Sequence, residues 1–246
     1  MNKAISNIVR LLVGSKTYDA LQKRCQERRF RKICCRVREN GPLLLTKFDK
    51  ICEDMGINYS IMYGTLLGSY REKGFIKDDG DIDIAISSKN ITIQLIDKMV
   101  QSGFQFIDAL VANNYSALHV AFSCMGVKFD LYSYDLDDTE NRLIGFAPRG
   151  VNGAYVYEDG LTKAQIKRVS IPYIGCHRVD FAGIKVNAFA NEDAVLRILY
   201  GEDYMIPKRG VKSQPNDYIW IEPFEKLYVY QIDYNQLREL KNKSLV

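Results

Sequence analysis

The sequence predicts an α+β fold: a mixed β-sheet flanked by helices and preceded by a basic N-terminal helical extension. Three observations carry that expectation. Residues 81–86, Asp-Ile-Asp-Ile-Ala-Ile, alternate polar and apolar with the period of a strand. Two more alternating runs, Ala117 to Cys124 and Val127 to Tyr134, flank the two-residue turn Met125-Gly126 as a hairpin would. Around them the apolar spacing switches to the helical period, in Leu43 to Met55, Ile91 to Ser102 and Asn191 to Tyr200.

The extension comes first in the chain. Residues 1–38 hold eleven Lys/Arg and two acids, giving +9 against +4 for the whole chain, so the remainder carries −5. Ile5, Ile8, Val9, Leu12 and Val13 fall on one helical face. Two readings stand side by side: a helix lying on an anionic membrane surface, or a helix packed on the main domain with a solvated basic face. Nucleic acid is not expected as a partner, because the basic run has only Tyr18 and Phe30 as isolated aromatics. Asn40-Gly41-Pro42 is expected to break the helix. The expected organisation is therefore 1–40 as the extension, 41–210 as the main domain and 211–246 as a helical or irregular segment packed on it.

Leu43 to Met55 reads as a helix ended by Gly56, and Ile57 to Met62 as the first strand. Gly64-Thr65 then open a short helical pattern around Leu66, Leu67 and Tyr70, and a polar turn, Lys77 to Gly80, leads into the strand that begins at Asp81. On that strand Ile82, Ile84 and Ile86 share one face and Asp81 and Asp83 the other. Two carboxylates that close repel unless a cation neutralises them. A divalent ion with oxygen ligands, Mg²⁺ or Mn²⁺, would do so and could also hold phosphates. The glycine-turn-helix element before it could offer backbone N–H groups to an anion. Taken alone, D-x-D is also compatible with a solvated strand edge. Asp79, Asp81 and Asp83 have the spacing of a calcium loop, but Ile84 stands where that loop needs glycine.

Ile91 to Ser102 is expected as a helix with Ile93, Ile96, Met99 and Val100 inward. In the hairpin, Val127, Phe129 and Leu131 point inward and Lys128, Asp130 and Tyr132 outward; Asp135, Asp137 and Asp138 follow in a solvated loop. Residues 139–165, with Gly145, Gly150, Gly153 and Gly160, read as irregular. Ile166 to Tyr173 and His177 to Ala188 read as strands, the latter with a turn at Ala182-Gly183. Tyr234 to Lys243 reads as a terminal helix, and Tyr218, Trp220, Phe224 and Tyr228 as packing residues.

Composition limits the rest. The 246 residues, 47% hydrophobic and 26% charged, suit one soluble core with appendages. No apolar run approaches the ~18 residues of a membrane span, and no secretory signal is present, so a cytoplasmic protein is expected, peripheral at most at the inner face of the membrane. The six cysteines form no C-x-x-C pair and there are two histidines, which argues for reduced thiols over a zinc site. Cys176 and His177 are adjacent in a strand and so point to opposite faces, which does not suit a nucleophile and its base.

The stretch from Gly64 to Ile84 resembles the LicD/fukutin-related phosphotransferases, whose motif reads like GTLLGxxRxxGFIPWDDDIDI. Here it stands as Gly64-Thr65-Leu66-Leu67-Gly68, Arg71, Gly74-Phe75-Ile76, Asp79 and Asp81-Ile82-Asp83-Ile84. Lys77 and Asp78 replace Pro-Trp, Gly80 replaces an acidic residue, and Glu72 stands where histidine is frequent. The run from Asp130 resembles the family's third-carboxylate strand. Tyr200 to Pro207 resembles its second signature, LxxxYGDxxMxPP. The resemblance implies a nucleotidyltransferase-type sheet. It implies Mg²⁺-dependent transfer of a phospho-substituent from a CDP-activated donor such as CDP-choline to a sugar hydroxyl of a cell-surface glycan or its lipid-linked precursor. Asp81, Asp83 and Asp130 would hold the metal, with Asp130 as third ligand or as base. Gly64 and Thr65, or alternatively Gly68 and Ser69, would cradle donor phosphate, and Arg71 and Lys73 would neutralise it. A nucleotidyltransferase acting on a small molecule or protein, and a non-catalytic binding subunit, are the other readings. A membrane anchor of the kind fukutin-like lumenal relatives carry is not seen in this sequence, so the bacterial-type members are the nearer analogy.

Overall fold

The computed structural model describes residues 10, 14–112, 117–150, 156–158, 161–207, 219–222 and 229–243. The apolar stripe from Ile5 to Val13 lies outside them, as do Tyr218, Phe224 and Tyr228.

Helix α1 runs from Ser15 to Met55, 41 residues, straight through the expected break. Gly41 does not interrupt it because the Phe75 ring lies over its bare backbone; a Cβ there would stand 2.4 Å from Phe75 Cζ. Pro42 lacks a helical N–H, but the turns after it bury Leu44, Leu45, Phe48 and Cys52. That burial outweighs the roughly 3 kcal/mol an interior proline costs. Gly56 ends the helix in the left-handed conformation, φ 65°, as expected.

The short strand β1 (Tyr59–Ile61) follows, then α2 (Tyr63–Glu72) and β2 (Asp81–Ile86). A 3₁₀ turn (Ser88–Asn90) and α3 (Ile93–Gln101) come next. Thr92 caps α3, its Oγ1 accepting the Leu95 N–H at 3.2 Å. Leu95, Ile96 and Met99 face the core, whereas Val100, expected inward, is exposed.

β3 (Gln105–Ala112), β4 (Ala117–Cys124) and β5 (Val127–Asp137) form a meander. The Met125-Gly126 turn has positive φ at both residues, 52° and 74°, as a two-residue hairpin requires. β5 runs past Tyr134, so Asp135 is not a solvated loop residue. Its carboxylate accepts the Ser87 hydroxyl at 2.9 Å and the Ser88 N–H at 2.8 Å.

Residues 139–165, expected as irregular, contain β6 (Arg142–Gly150), β7 (Val156–Glu158) and the start of β8 (Leu161–Pro172). The glycine that obscured β6 is a packing residue: a Cβ on Gly145 would fall 2.3 Å from the Tyr134 ring. β9 (Cys176–Phe181) and β10 (Ile184–Phe189) pair as a separate hairpin turning at Ala182-Gly183. After α4 (Glu192–Tyr200), β11 (Ile219–Glu222) and β12 (Val229–Ile232) join the main sheet, and α5 (Tyr234–Lys243) closes the described chain. The segment 211–246 is therefore not only helical or irregular.

The main sheet has the order β1-β2-β5-β4-β3-β12-β8-β11, with β6 paired to β5 and β8 and β7 to β8. Only β2 and β5 pair parallel among the described strands, which makes the sheet mixed. On the face of Ile82 and Ile84 the core closes around Phe129, which meets Phe48 of α1 at 5.2 Å and Phe104 at 5.3 Å between ring centroids. The opposite face of β2 and β5 carries the acids. Among the described residues no helix is long and apolar enough to cross a membrane.

Candidate active site

Two backbone ties fix the start of β2. The Met62 N–H donates to the Asp83 carbonyl at 2.9 Å, and the Asp83 N–H donates to Thr65 Oγ1 at 3.0 Å. The parallel pairing then sets Asp83 opposite Asp130 and Asp81 opposite Lys128. The result is a convergence: one carboxylate oxygen each from Asp81, Asp83 and Asp130 lie within 4.8 Å of one another, the only such group found among the described residues.

Asp130 was expected to point outward, and it does leave the core face, yet it is fully buried. Its neighbours cover it. His119 Nε2 lies 2.9 Å from Oδ1, and Lys128 Nζ donates to Oδ2 at 2.6 Å. The Tyr132 ring stacks beside His119 at 4.8 Å.

The negative charge is in excess. Burial first, and then Asp81, Asp130 and Asp79, push the Asp83 acid well above the ordinary carboxylate range, with Lys128 opposing. Asp79 is pushed up to about 7, by burial and then by Asp81. Four tyrosines, Tyr63, Tyr132, Tyr134 and Tyr200, lie near Asp83. The Tyr63 and Tyr134 hydroxyls meet at 2.8 Å, and the Tyr63 ring stands edge-on to Tyr132 at 5.1 Å. Burial and the nearby carboxylates raise the phenols of Tyr132 and Tyr200. Tyr63 holds a positive φ of 45°, a strained position for a bulky residue and one that turns β1 sharply into α2.

The remaining expected site residues lie along α2. Gly64 is needed bare: a Cβ would fall 2.3 Å from Asp79 Oδ2. Thr65 is fully buried, with its hydroxyl on the strand. Gly68 packs on the chain that returns to β2, since a Cβ would stand 2.5 Å from the Gly74 carbonyl, and Ser69 is buried beside it. Arg71 pairs with Glu72 at 2.7 Å and donates to the Tyr204 carbonyl at 3.3 Å. Lys73 is the C-cap, its ammonium 5.7 Å from the Tyr70 ring centre. The structure thus gathers Asp81, Asp83 and Asp130, places Gly64 and Thr65 against them, and sets Gly68, Ser69, Arg71 and Lys73 farther along the helix. Tyr204 of the second signature is buried, its hydroxyl donating to Asp193 at 2.5 Å and its ring 5.9 Å from Tyr70.

The family model described as LicD/FKTN/FKRP, nucleotidyltransferase domain, matches residues 56–191. The chain belongs to the LicD family. The matched segment runs from the cap of α1 past β10 and contains all three carboxylates. No curated protein matches the chain. LicD membership supports, at family level, a transferase of phosphate-containing groups.

His119, Lys128, Tyr63, Tyr132 and Tyr134 were not singled out as site residues from sequence, and Tyr200 only as the first residue of the second signature. One signal was available for Lys128. It stands two residues before Asp130, as Asp81 stands two before Asp83, so K-x-D and D-x-D would face each other if the strands paired in register. The donor set suits a hard divalent cation: three converging carboxylates are oxygen ligands of the kind Mg²⁺ and Mn²⁺ take.

Proposed function

We propose that this LicD-family protein transfers a phospho-substituent, phosphocholine or a phospho-alditol, from a CDP-activated donor to a sugar hydroxyl of a cell-surface glycan or its precursor. The observation that carries the reading is the convergence of Asp81, Asp83 and Asp130 on the two parallel strands. Those three residues would hold Mg²⁺ or Mn²⁺. The bound ion would supply neutralisation of charge on the transferring phosphate. The first turn of α2, which has no side-chain cap and no acid, would offer the backbone N–H groups of Gly64 and Thr65 to donor phosphate. Arg71 and Lys73 add positive charge farther out, and the enclosed Gly68 and Ser69 support the turn. The complete burial of Asp130 favours its role as ligand over that of base for a bulky acceptor.

Calorimetry with CDP-choline, CDP-ribitol and CDP-glycerol tests the donor class. Binding of one of them only with Mg²⁺ present is the expected result, together with CMP release that requires a glycan acceptor. Absence of any Mg²⁺-dependent CDP-compound binding would overturn the reading, and preference for a nucleoside triphosphate would redirect it to nucleotidyl transfer.

A lipid-linked acceptor would place the protein at the inner face of the membrane, and the +9 extension is suited to anionic lipid. Cys34 and Val37 of α1 are buried, so a deletion that spares the core stops before Ile33. Removal of residues 2–30 is expected to abolish salt-sensitive binding to phosphatidylglycerol vesicles without unfolding the remainder. Unchanged binding would assign the extension to another role.

A further inference from the structure

The parallel register gives each acid of β2 a neighbour on β5: Lys128 beside Asp81 and Asp130 beside Asp83. Residues two apart on a strand share a face. Four adjacent positions therefore carry three carboxylates and one ammonium, all on one side of the sheet. The four are not held alike. Asp130 is fully buried and fastened at Oδ1 by His119 Nε2, 2.9 Å away. The Lys128 Nζ sits 2.6 Å from Oδ2, but its side chain is 46% exposed and has solvent to retreat into.

We propose that Lys128 is a tethered counter-ion of the metal-free site: its ammonium keeps the three carboxylates converged and gives up Asp130 when a divalent ion arrives. The inference rests on the reading of Asp81, Asp83 and Asp130 as metal ligands. The physical reason is charge balance. Three carboxylates this close repel one another strongly, and a single mobile cation offsets part of that repulsion. A divalent ion binding the same oxygens meets the ammonium as a like charge and displaces it. His119 keeps Oδ1, so Asp130 stays aimed while its cationic partner changes.

The test uses the full chain, stripped of metal, in wild-type form and as Lys128→Met, Lys128→Gln and Lys128→Arg. Mn²⁺ binding is followed by electron paramagnetic resonance and melting by circular dichroism. Without metal, Lys128→Met and Lys128→Gln are expected to melt below wild type. They should bind Mn²⁺ roughly three- to tenfold more tightly, the size expected of a half-exposed charge competing at close range. Their gain in melting temperature on adding Mn²⁺ should exceed that of wild type, and Lys128→Arg should restore wild-type behaviour in both respects. Mn²⁺ affinity that is unchanged or weaker in the folded neutral variants would overturn the proposal while leaving the metal site standing. If neither wild type nor variant binds Mn²⁺, the proposal and the metal site fall together.

Discussion

Asp49 and Asp130 are both buried acids, and the protein treats them in opposite ways. Asp49 on α1 receives both arms of the Arg178 guanidinium at 2.6 Å and the Tyr59 hydroxyl at 2.7 Å. Burial pulls its pKa upward, but Arg178 and Tyr59 reverse that and hold it below the usual carboxylate range. The pair ties α1 to the β9–β10 hairpin, and Arg178 is tied in turn to the Lys185 carbonyl at 2.8 Å. Asp130 belongs instead to a cluster with more acids than cations, where Asp83 is pushed up rather than down. A buried acid with complete partners serves architecture. A group of acids in excess carries repulsion that Lys128 offsets only in part and that protonation or a bound cation would relieve, and such an imbalance is what distinguishes a candidate site.

Substitution at the two sites should therefore separate stability from activity, and the largest effect is expected at the cluster. Asp83→Asn removes one of the repelling charges and a metal ligand. Transfer of a labelled donor headgroup is expected to fall at least ~10²-fold, while the metal-free protein melts at the wild-type temperature or above it. A variant that loses its melting temperature and keeps its activity would make Asp83 a structural residue like Asp49.

Asp49→Ala should show the reverse. Breaking a buried pair costs 3–5 kcal/mol, and because Arg178 is 40% exposed the expected loss is about 2 kcal/mol. Activity per folded molecule should not change. The pH dependence follows from the direction of the shift. A carboxylate depressed in the folded state adds stability above its unfolded pKa, near 4, and that contribution disappears as pH falls through the folded value. Denaturant titrations of wild type and Asp49→Ala should thus differ most at neutral pH and converge in acid. A constant gap across the range would mean that Asp49 acts through packing alone.

The same contrast explains what could be read in advance. β2 and the β4–β5 hairpin were legible because alternation and a two-residue turn are local signals, and the D-x-D pair lies on one of them. Asp130 was placed on the right strand, but its burial depends on His119 and Lys128. His119 is a neighbour across strands, fixed by a register that a linear pattern does not carry, whereas Lys128, two residues away on the same strand, shares its face. β3 escaped because register shifts at Phe106/Asp108 and Leu110/Val111 break its alternation. β6 escaped because Gly145 looks like a breaker when it is a seat for Tyr134, and Gly41 misled in the same way under Phe75. At Gly41, Gly145 and Asp130 the missing information was a contact with another element that reverses what a glycine or an acid signals locally.

The smallest expected effects come from two glycines on α2, and they carry the comparison inside a single helix. Both substitutions to alanine gain up to ~1 kcal/mol of helix propensity. At Gly68 the new Cβ would meet the Gly74 carbonyl at 2.5 Å. A backbone atom cannot swing aside, so the overpacking cost of about 1–3 kcal/mol should exceed that gain and lower the melting temperature. At Gly64 the obstacle is Asp79 Oδ2 at 2.3 Å, the end of a rotatable side chain. Turning it away costs roughly 0.5–1.5 kcal/mol, which the helix gain nearly cancels, so stability should barely move. Activity should fall instead, by about tenfold, because the displaced Asp79 borders the carboxylates and the first turn of the helix. Gly68→Ala should thus be a stability variant and Gly64→Ala an activity variant, four residues apart. Equal melting losses in the two would mean that Asp79 is held as rigidly as a backbone carbonyl, and would move it from the edge of the site into the architecture.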